Sequence, residues 1–261
     1  MDSKSDYQIP KIIHYFWLGK NPKPESVLKC IESWKRNCPD FEIKEWNEEN
    51  YDVHKHPYME RAYSEKRWAF VPDYGRLDIM YQYGGIYLDT DVEVLKDLSP
   101  LCKCRAFKGF ENSEYVNDGQ GFGCVPGMPI FREMMACYDG DEPYEIVDGK
   151  QLYIESPRLC TRVLLRHGLV QNGKKQVVEG IDIFPSDYFC PLSYDTGRIK
   201  ITENTYSIHH FDASWHGKNA AKHKKIRQSL NRFFGVKIGM KMYLGVIKVW
   251  RSLKGIAGRH D

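Results

Sequence analysis

The sequence predicts an α/β protein built on a nucleotide-binding sheet, and two stretches carry that expectation. The first is the opening: apolar Ile9–Leu18 ends at the loop Gly19-Lys20-Asn21-Pro22, Ser26–Asn37 places Val27, Leu28, Ile31 and Trp34 at helical spacing, and Phe41–Trp46 alternates. A strand, a helix and a strand joined by short links open a sheet whose ligands lodge beyond the carboxyl ends of its strands. The second stretch is Trp68–Glu93, in which a helix, a Gly-Gly break and a short apolar run lead to two acids.

Within that second stretch, Pro72 suits a first helical turn, Leu77, Met80 and Tyr81 recur at helical spacing, and Gly84-Gly85 ends the helix. Ile86, Tyr87 and Leu88 then deliver Asp89 and Asp91 to a strand end, with Thr90 pointing the other way. Carboxylates so spaced repel each other unless a cation sits between them, and hard oxygen ligands suit Mn²⁺ or Mg²⁺. The expected guest is a metal-bound diphosphate. Asp73 and Arg76, three apart, share one helical face, and an Arg fork beside a carboxylate suits sugar hydroxyls or phosphate oxygens.

The D-x-x-R helix followed by G-G-I-Y-L-D-T-D resembles the DxD sugar-nucleotide motif of family 32 glycosyltransferases. Two further stretches resemble that family: I-P-K-I-I-H-Y-F-W-L-G at residues 9–19 and I-H-H-F-D-A-S-W at residues 208–215. The resemblance implies a GT-A fold, an α/β/α sandwich around a mostly parallel, Rossmann-like sheet. It implies that Trp17 stacks on the nucleobase, that Asp73 and Arg76 orient the sugar, and that Asp89 and Asp91 hold the metal. Ser214 and Trp215 would close over the diphosphate. Strand alternation lets one of His209 and His210 face the site as a further metal ligand, and analogy favours His209. Asn117, Asp118 and Gln120 fall where relatives place a loop touching the donor sugar, although N-D-G is also an ordinary tight turn.

The activity so implied is retaining transfer of a hexose from a UDP-sugar such as UDP-galactose, UDP-glucose or UDP-GlcNAc to a saccharide acceptor, lipid-linked, in capsule or O-antigen synthesis. GDP-mannose is the alternative donor. A glycan-binding module without turnover is the alternative of a different class, and it has no need of a diphosphate metal site.

Elsewhere the patterns predict a helical segment over Tyr51–Arg67 with His54 and His56 at its surface, extended chain at Val92–Val94, and a strand at Ala106–Phe110. A helix runs through Ile130–Met135, a flexible acidic loop covers Asp139–Gly149, a capped helix follows Glu155, and strands lie at Ile181–Phe184 and Ile199–Ile201.

Hydrophobic residues make up 42% and charged residues 28% of 261, an ordinary balance for a globular protein. No apolar run approaches a membrane span, and M-D-S-K-S-D-Y-Q lacks the core of a signal peptide, so a cytoplasmic location is expected. The eight irregularly spaced cysteines are expected as reduced thiols. Net charge is +3, but residues 218–261 carry twelve Lys and Arg against Asp261, which gives +11 there and −8 over residues 1–217. The expected division is therefore a catalytic domain, 1–217, and a basic helical segment, 218–261. A basic tail on an acidic body does not suit a nucleic-acid reader. Met240, Tyr243, Leu244, Ile247 and Trp250 form an apolar stripe beside Lys237, Lys241 and Lys248, which fits peripheral docking on an anionic membrane surface. The plainer alternatives are packing on the body or on a second subunit as a homodimer.

Overall fold

The computed structural model describes residues 9–212 and 218–257, with side chains throughout except at 218–221 and 248–257. The opening expectation holds: β1 (Ile12–Phe16), α1 (Glu25–Asn37) and β2 (Glu42–Trp46) follow one another, with β1 and β2 parallel. Next come α2 (Pro57–Ser64), α3 (Val71–Tyr83), β3 (Gly85–Tyr87) and β4 (Val92–Val94), then a 3₁₀ turn at Ser99–Lys103. After β5 (Ala106–Phe110), β6 (Val116–Asn117) and β7 (Phe122–Cys124) lie α4 (Pro129–Ala136), the hairpin β8 (Tyr144–Val147) and β9 (Lys150–Tyr153), and α5 (Ser156–Arg166). The chain continues through β10 (Gln176–Val178), β11 (Ile181–Phe184) and β12 (Ser207–His209) to α6 (Lys218–Phe234) and α7 (Val236–Ala257).

The main sheet has the order β10-β11-β5-β7-β3-β1-β2, with β6 paired to β5. Strands β1, β2, β3, β5 and β11 run one way, and β6, β7 and β10 the other, so the sheet is mostly parallel with β7 inserted as a reversal between β3 and β5. Side-chain alternation splits its core into two layers. Ile13, Tyr15, Ile86 and Phe107 pack with Val27, Ile31 and Trp34 of α1, whereas Phe16, Tyr87, Phe110 and Phe122 pack with residues of α2 to α5.

Helix α3 is buried on most sides, including at Asp73, Arg76 and Asp78. Gly75 sits on β1: a Cβ there would lie 2.8 Å from the Phe16 ring. The glycine that interrupts helical propensity is thus the point of closest approach to the sheet. At the other end Gly84 adopts φ 65° and returns its N–H to the Met80 carbonyl, and a Cβ would meet the Cys124 carbonyl at 2.8 Å. Strand β4 leaves the main sheet to pair with β12. Helix α1 holds it there, since Trp34 Nε1 and Asn37 Nδ2 donate to the carbonyls of Val92 and Val94.

Several expectations change. The acidic loop at 139–149 instead contains a hairpin, whose two-residue turn places Asp148 at φ 50° and Gly149 at φ 73°. A second hairpin, β10–β11, turns the same way at Glu179 and Gly180. Ile199 forms only an isolated bridge to Leu192 instead of a strand. His54 is exposed, but His56 is buried, stacks on Tyr74 and accepts from the Tyr58 N–H at the start of α2. The eight cysteines are thiols, none of them joined in a disulfide.

The chain forms two compact units, Met1–Pro191 with Ile201–His210, and Leu192–Lys200 with Phe211–Asp261. In the second unit Gly235, at φ 74°, joins α6 to α7 as a helical hairpin. Gly239 lets the two helices meet, because a Cβ would stand 2.6 Å from the Asn231 backbone. Buried Asn231 donates to the Asp195 carbonyl. The apolar stripe expected on α7 divides: Met240, Tyr243 and Ile247 are half-buried, whereas Leu244 is exposed. Trp250 lies beyond the described side chains.

His14, on β1, is fully buried with its Nε2 on the Gly84 carbonyl and its Nδ1 accepting from Trp46. That pattern needs the neutral ring, and burial pushes its pKa down from 6.5 to about 4. The unfolded chain takes up the proton first as pH falls. Stability from this group is therefore complete above pH 6.5 and is lost as pH drops towards 4, a loss on the order of 3 kcal/mol. Urea titrations between those limits should show this slope, and His14→Gln should flatten it.

Candidate active site

The site lies where β3 ends. Asp89-Thr90-Asp91 turns the chain from β3 into β4, and the Val92 N–H closes the turn on the Asp89 carbonyl at 3.0 Å. The β4–β12 pairing sets His209 opposite Val92, and the His210 N–H donates to the Asp91 carbonyl. Asp91 Oδ1 then stands 3.3 Å from His209 Nε2. Strand alternation sends His210 the other way, to Glu93 at 2.9 Å. Asp89, Asp91 and His209 each offer a ligand atom, all within 4.8 Å of one another.

Arg76 joins this group to the helix. Its guanidinium pairs with Asp73, lies 3.7 Å from Asp89 Oδ2 and covers the Tyr87 ring. Tyr87 donates to Asp89 Oδ1 at 3.0 Å, and Tyr58 donates to Asp73 Oδ2 at 3.3 Å. Burial pushes the Asp73 carboxyl up to about 7 against the pull of Arg76. Burial also raises Asp89, with repulsion from Asp91 adding to it while Arg76 opposes. His209 moves up as well: burial pulls it down most strongly, but the attraction and hydrogen bond of Asp91 together with the charges of Asp89 and Glu111 exceed that pull. Three carboxylates thus face one guanidinium and one imidazole. Added positive charge is what such a cluster favours, and two carboxylates with one imidazole suit Mn²⁺ or Mg²⁺.

The loop 117–120 supports the acids from behind. The Asp89 N–H donates to the Gly119 carbonyl, the Gly119 N–H to Asn117 Oδ1, and Asn117 Nδ2 to Glu111. Any Cβ on Gly119 would collide with Asp89 Oδ2. Asp118 turns inward rather than towards a sugar, because its carboxylate is paired with wholly buried Lys108 and accepts from Cys160 at 3.3 Å. Gln120 is buried too, donating to the Phe110 carbonyl. Trp17, half-buried, follows β1 and donates to the Asn21 carbonyl at 2.7 Å. Its backbone N–H donates to the Trp46 carbonyl at 2.9 Å, beyond the His14–Tyr87 pair that ends the β1–β3 register. Ser214 and Trp215 lie outside the described residues. Tyr58, Tyr87, Lys108 and Gly119 were not singled out from the sequence, though a lysine inside the apolar strand A-F-K-G-F is a visible sign of a buried partner.

Residues 24–108 match the family described as glycosyltransferase sugar-binding region containing DXD motif. That stretch of the chain, which includes Asp73, Arg76, Asp89 and Asp91, is similar to the sugar-binding region of DXD-motif glycosyltransferases. The chain is 25% identical over 238 residues to inositol phosphoceramide mannosyltransferase 1 of Schizosaccharomyces pombe, covering 82% of this chain and 64% of that one. It is 25% identical to mouse lactosylceramide 4-alpha-galactosyltransferase, over 62% of this chain and 46% of the relative. The chain therefore spans less than two thirds of the length of these relatives. Among solved structures, the PaToxG glycosyltransferase shows 19% identity and a TM-score of 0.46 over 61% of this chain and 69% of its own. The sheet order described above is that of a mostly parallel α/β sheet of the GT-A kind, with the reversed strand β7 beside the β3 strand that leads into the DxD segment.

Gly119→Ala should lower Mn²⁺ affinity by about tenfold or more, as loss of an outer support for a ligand does. Calorimetric titration reads this, with the thermal midpoint as the control for folding. Unchanged affinity would remove Gly119 from the support of Asp89.

Proposed function

We propose that this glycosyltransferase moves a hexose from a nucleotide sugar to a hydroxyl of a lipid-linked saccharide, with retention of the α configuration. The observation that carries the reading is the meeting of Asp89, Asp91 and His209 within 4.8 Å, beside the Asp73–Arg76 pair. Those three side chains would hold a divalent ion, Mn²⁺ or Mg²⁺, which when bound screens the charge of the donor diphosphate. Arg76, fixed by Asp73 and by the Tyr87 ring, presents its remaining N–H groups as donors for a sugar hydroxyl or a phosphate oxygen. Tyr58 and Arg76 hold Asp73, so this carboxylate is occupied as a positioning group rather than free to attack as a nucleophile. Attack from the leaving-group face, with the departing phosphate accepting the acceptor's proton, fits such a site better than a double displacement between paired carboxylates.

A UDP-hexose is the donor we favour. GDP-mannose is the second reading, supported by the mannosyltransferase name of the fission yeast relative. That name and the lactosylceramide transferase name concern ceramide glycolipids, which supports a lipid-linked saccharide as the acceptor.

Purified protein incubated with Mn²⁺ and a panel of UDP- and GDP-sugars, with and without saccharide acceptors, should release nucleotide from one donor class in an acceptor-dependent way. Asp91→Asn should reduce that turnover by about a hundredfold or more while circular dichroism stays unchanged. Full turnover by the folded variant would reject the role given to the acidic pair. Glycan binding with no nucleotide release from any donor would favour the non-catalytic module.

A further inference from the structure

The turn between α6 and α7 carries a concentration of exposed apolar side chains. Phe233 is 81% exposed, Phe234 51%, Val236 43% and Ile238 58%, four large residues within six positions around Gly235. Ile238, Met242 and Val246 are spaced four apart, so the exposed patch continues along α7 as a ridge, with Met242 at 40% and Val246 at 49% exposure. The opposite row, Met240, Tyr243 and Ile247, is half-buried. The hairpin has therefore used one apolar row of α7 for its own packing and left a second row and its tip in water. Exposed Arg232, Lys237 and Lys241 flank the tip and the ridge, within a segment of twelve basic residues and one acid.

We propose that this helical hairpin docks on an anionic lipid surface, with Phe233 and Phe234 inserted among the headgroups and the flanking cations on lipid phosphates. Contiguous exposed apolar side chains mark an interaction surface, and aromatic residues at a tip with basic residues beside them fit the boundary between water and hydrocarbon. Charge selects the occupant. A second copy would bring an equally basic face against this one, whereas anionic lipid complements it. Among the described residues no helix is long and apolar enough to cross a membrane, so the hairpin lies on the surface.

The full chain should co-sediment with phosphatidylcholine vesicles that contain phosphatidylserine, and weakly or not at all with phosphatidylcholine alone. Binding should weaken as salt rises. The Phe233→Ser/Phe234→Ser pair should lower vesicle affinity by about tenfold or more, and Lys237→Gln/Lys241→Gln should reduce both affinity and salt dependence. Both pairs belong to the unit that does not hold the acidic site, so nucleotide release with a soluble acceptor should match the parent chain, which separates failure of this proposal from failure of the transferase reading. Undiminished vesicle binding by the Phe pair would overturn the proposal. So would absence of vesicle binding by the parent chain, or sedimentation as a dimer that the Phe pair converts to a monomer.

Discussion

Three carboxylates held close together in partly buried surroundings are the constraint on which this structure is built. Asp73 and Asp89 flank a single guanidinium, that of Arg76, and Asp91 adjoins Asp89 and His209. Repulsion between like charges a few ångströms apart rises steeply where water is excluded, and a group left uncompensated there shifts its pKa. Burial is the first cause of the upward shifts of Asp73 and Asp89, the neighbouring carboxylates add to both, and nearby carboxylates raise His209 against its burial. Much of the local architecture follows from keeping Arg76 in reach of two acids at once. Gly75 lets α3 settle on the Phe16 ring, Gly84 stops it, and three residues of β3 bring the chain back to Asp89.

A second charged pair lies beneath the first. Lys108 and Asp118 are both withdrawn from solvent, and burying an ion pair is seldom a source of net stability. Breaking one is costly, however, and that asymmetry gives the pair a use: it fixes one conformation of residues 117–120. The Phe122 and Phe131 rings beside the Lys108 ammonium, 4.2 and 5.1 Å away at their centroids, add to its confinement. Because Asp118 is anchored inward, the next residue can offer its carbonyl to the Asp89 N–H and its bare Cα to the Asp89 carboxylate. The acids are thus shaped on one side by helix α3 and on the other by a loop tethered to strand β5.

The sequence made the centre of the site legible and its surroundings much less so. Asp73, Arg76, Asp89 and Asp91 could be named because each is a charged group at a spacing that periodicity interprets, and His209 because its segment resembles the last motif of the family. The family resemblance favoured His209 over His210, and the physical basis of that choice is the β4–β12 register, a pairing across more than a hundred residues. Asp118 resembled a polar turn residue because its partner sits in a strand ten residues earlier, and burial of a side chain in N-D-G is not written in local pattern. The hairpin at 144–153 was masked by acidic composition, although Asp148-Gly149 is the dipeptide that a two-residue turn prefers. On α7 one helical period served two apolar rows, and hydrophobicity alone does not say which of them faces α6.

The opposite formal charges of the two stretches, −8 over residues 1–217 and +11 beyond, constrain how this protein can approach a charged surface. An anionic surface attracts the tail and repels the rest, and the attraction fades beyond about 8 Å at physiological ionic strength. Charge can therefore select which segment makes contact, but it holds that contact weakly against salt. A diphosphate donor of the proposed kind would itself be anionic, so cations near a lipid surface would do little for its capture at a site whose positive charge would come from Arg76 and from an ion held by Asp89, Asp91 and His209. In the proposed docking, retention would fall to the apolar tip at Phe233-Phe234, where burial of aromatic surface does not depend on ionic strength. Separating selection by cations from retention by aromatics leaves the acidic residues of the donor site free of any part in docking.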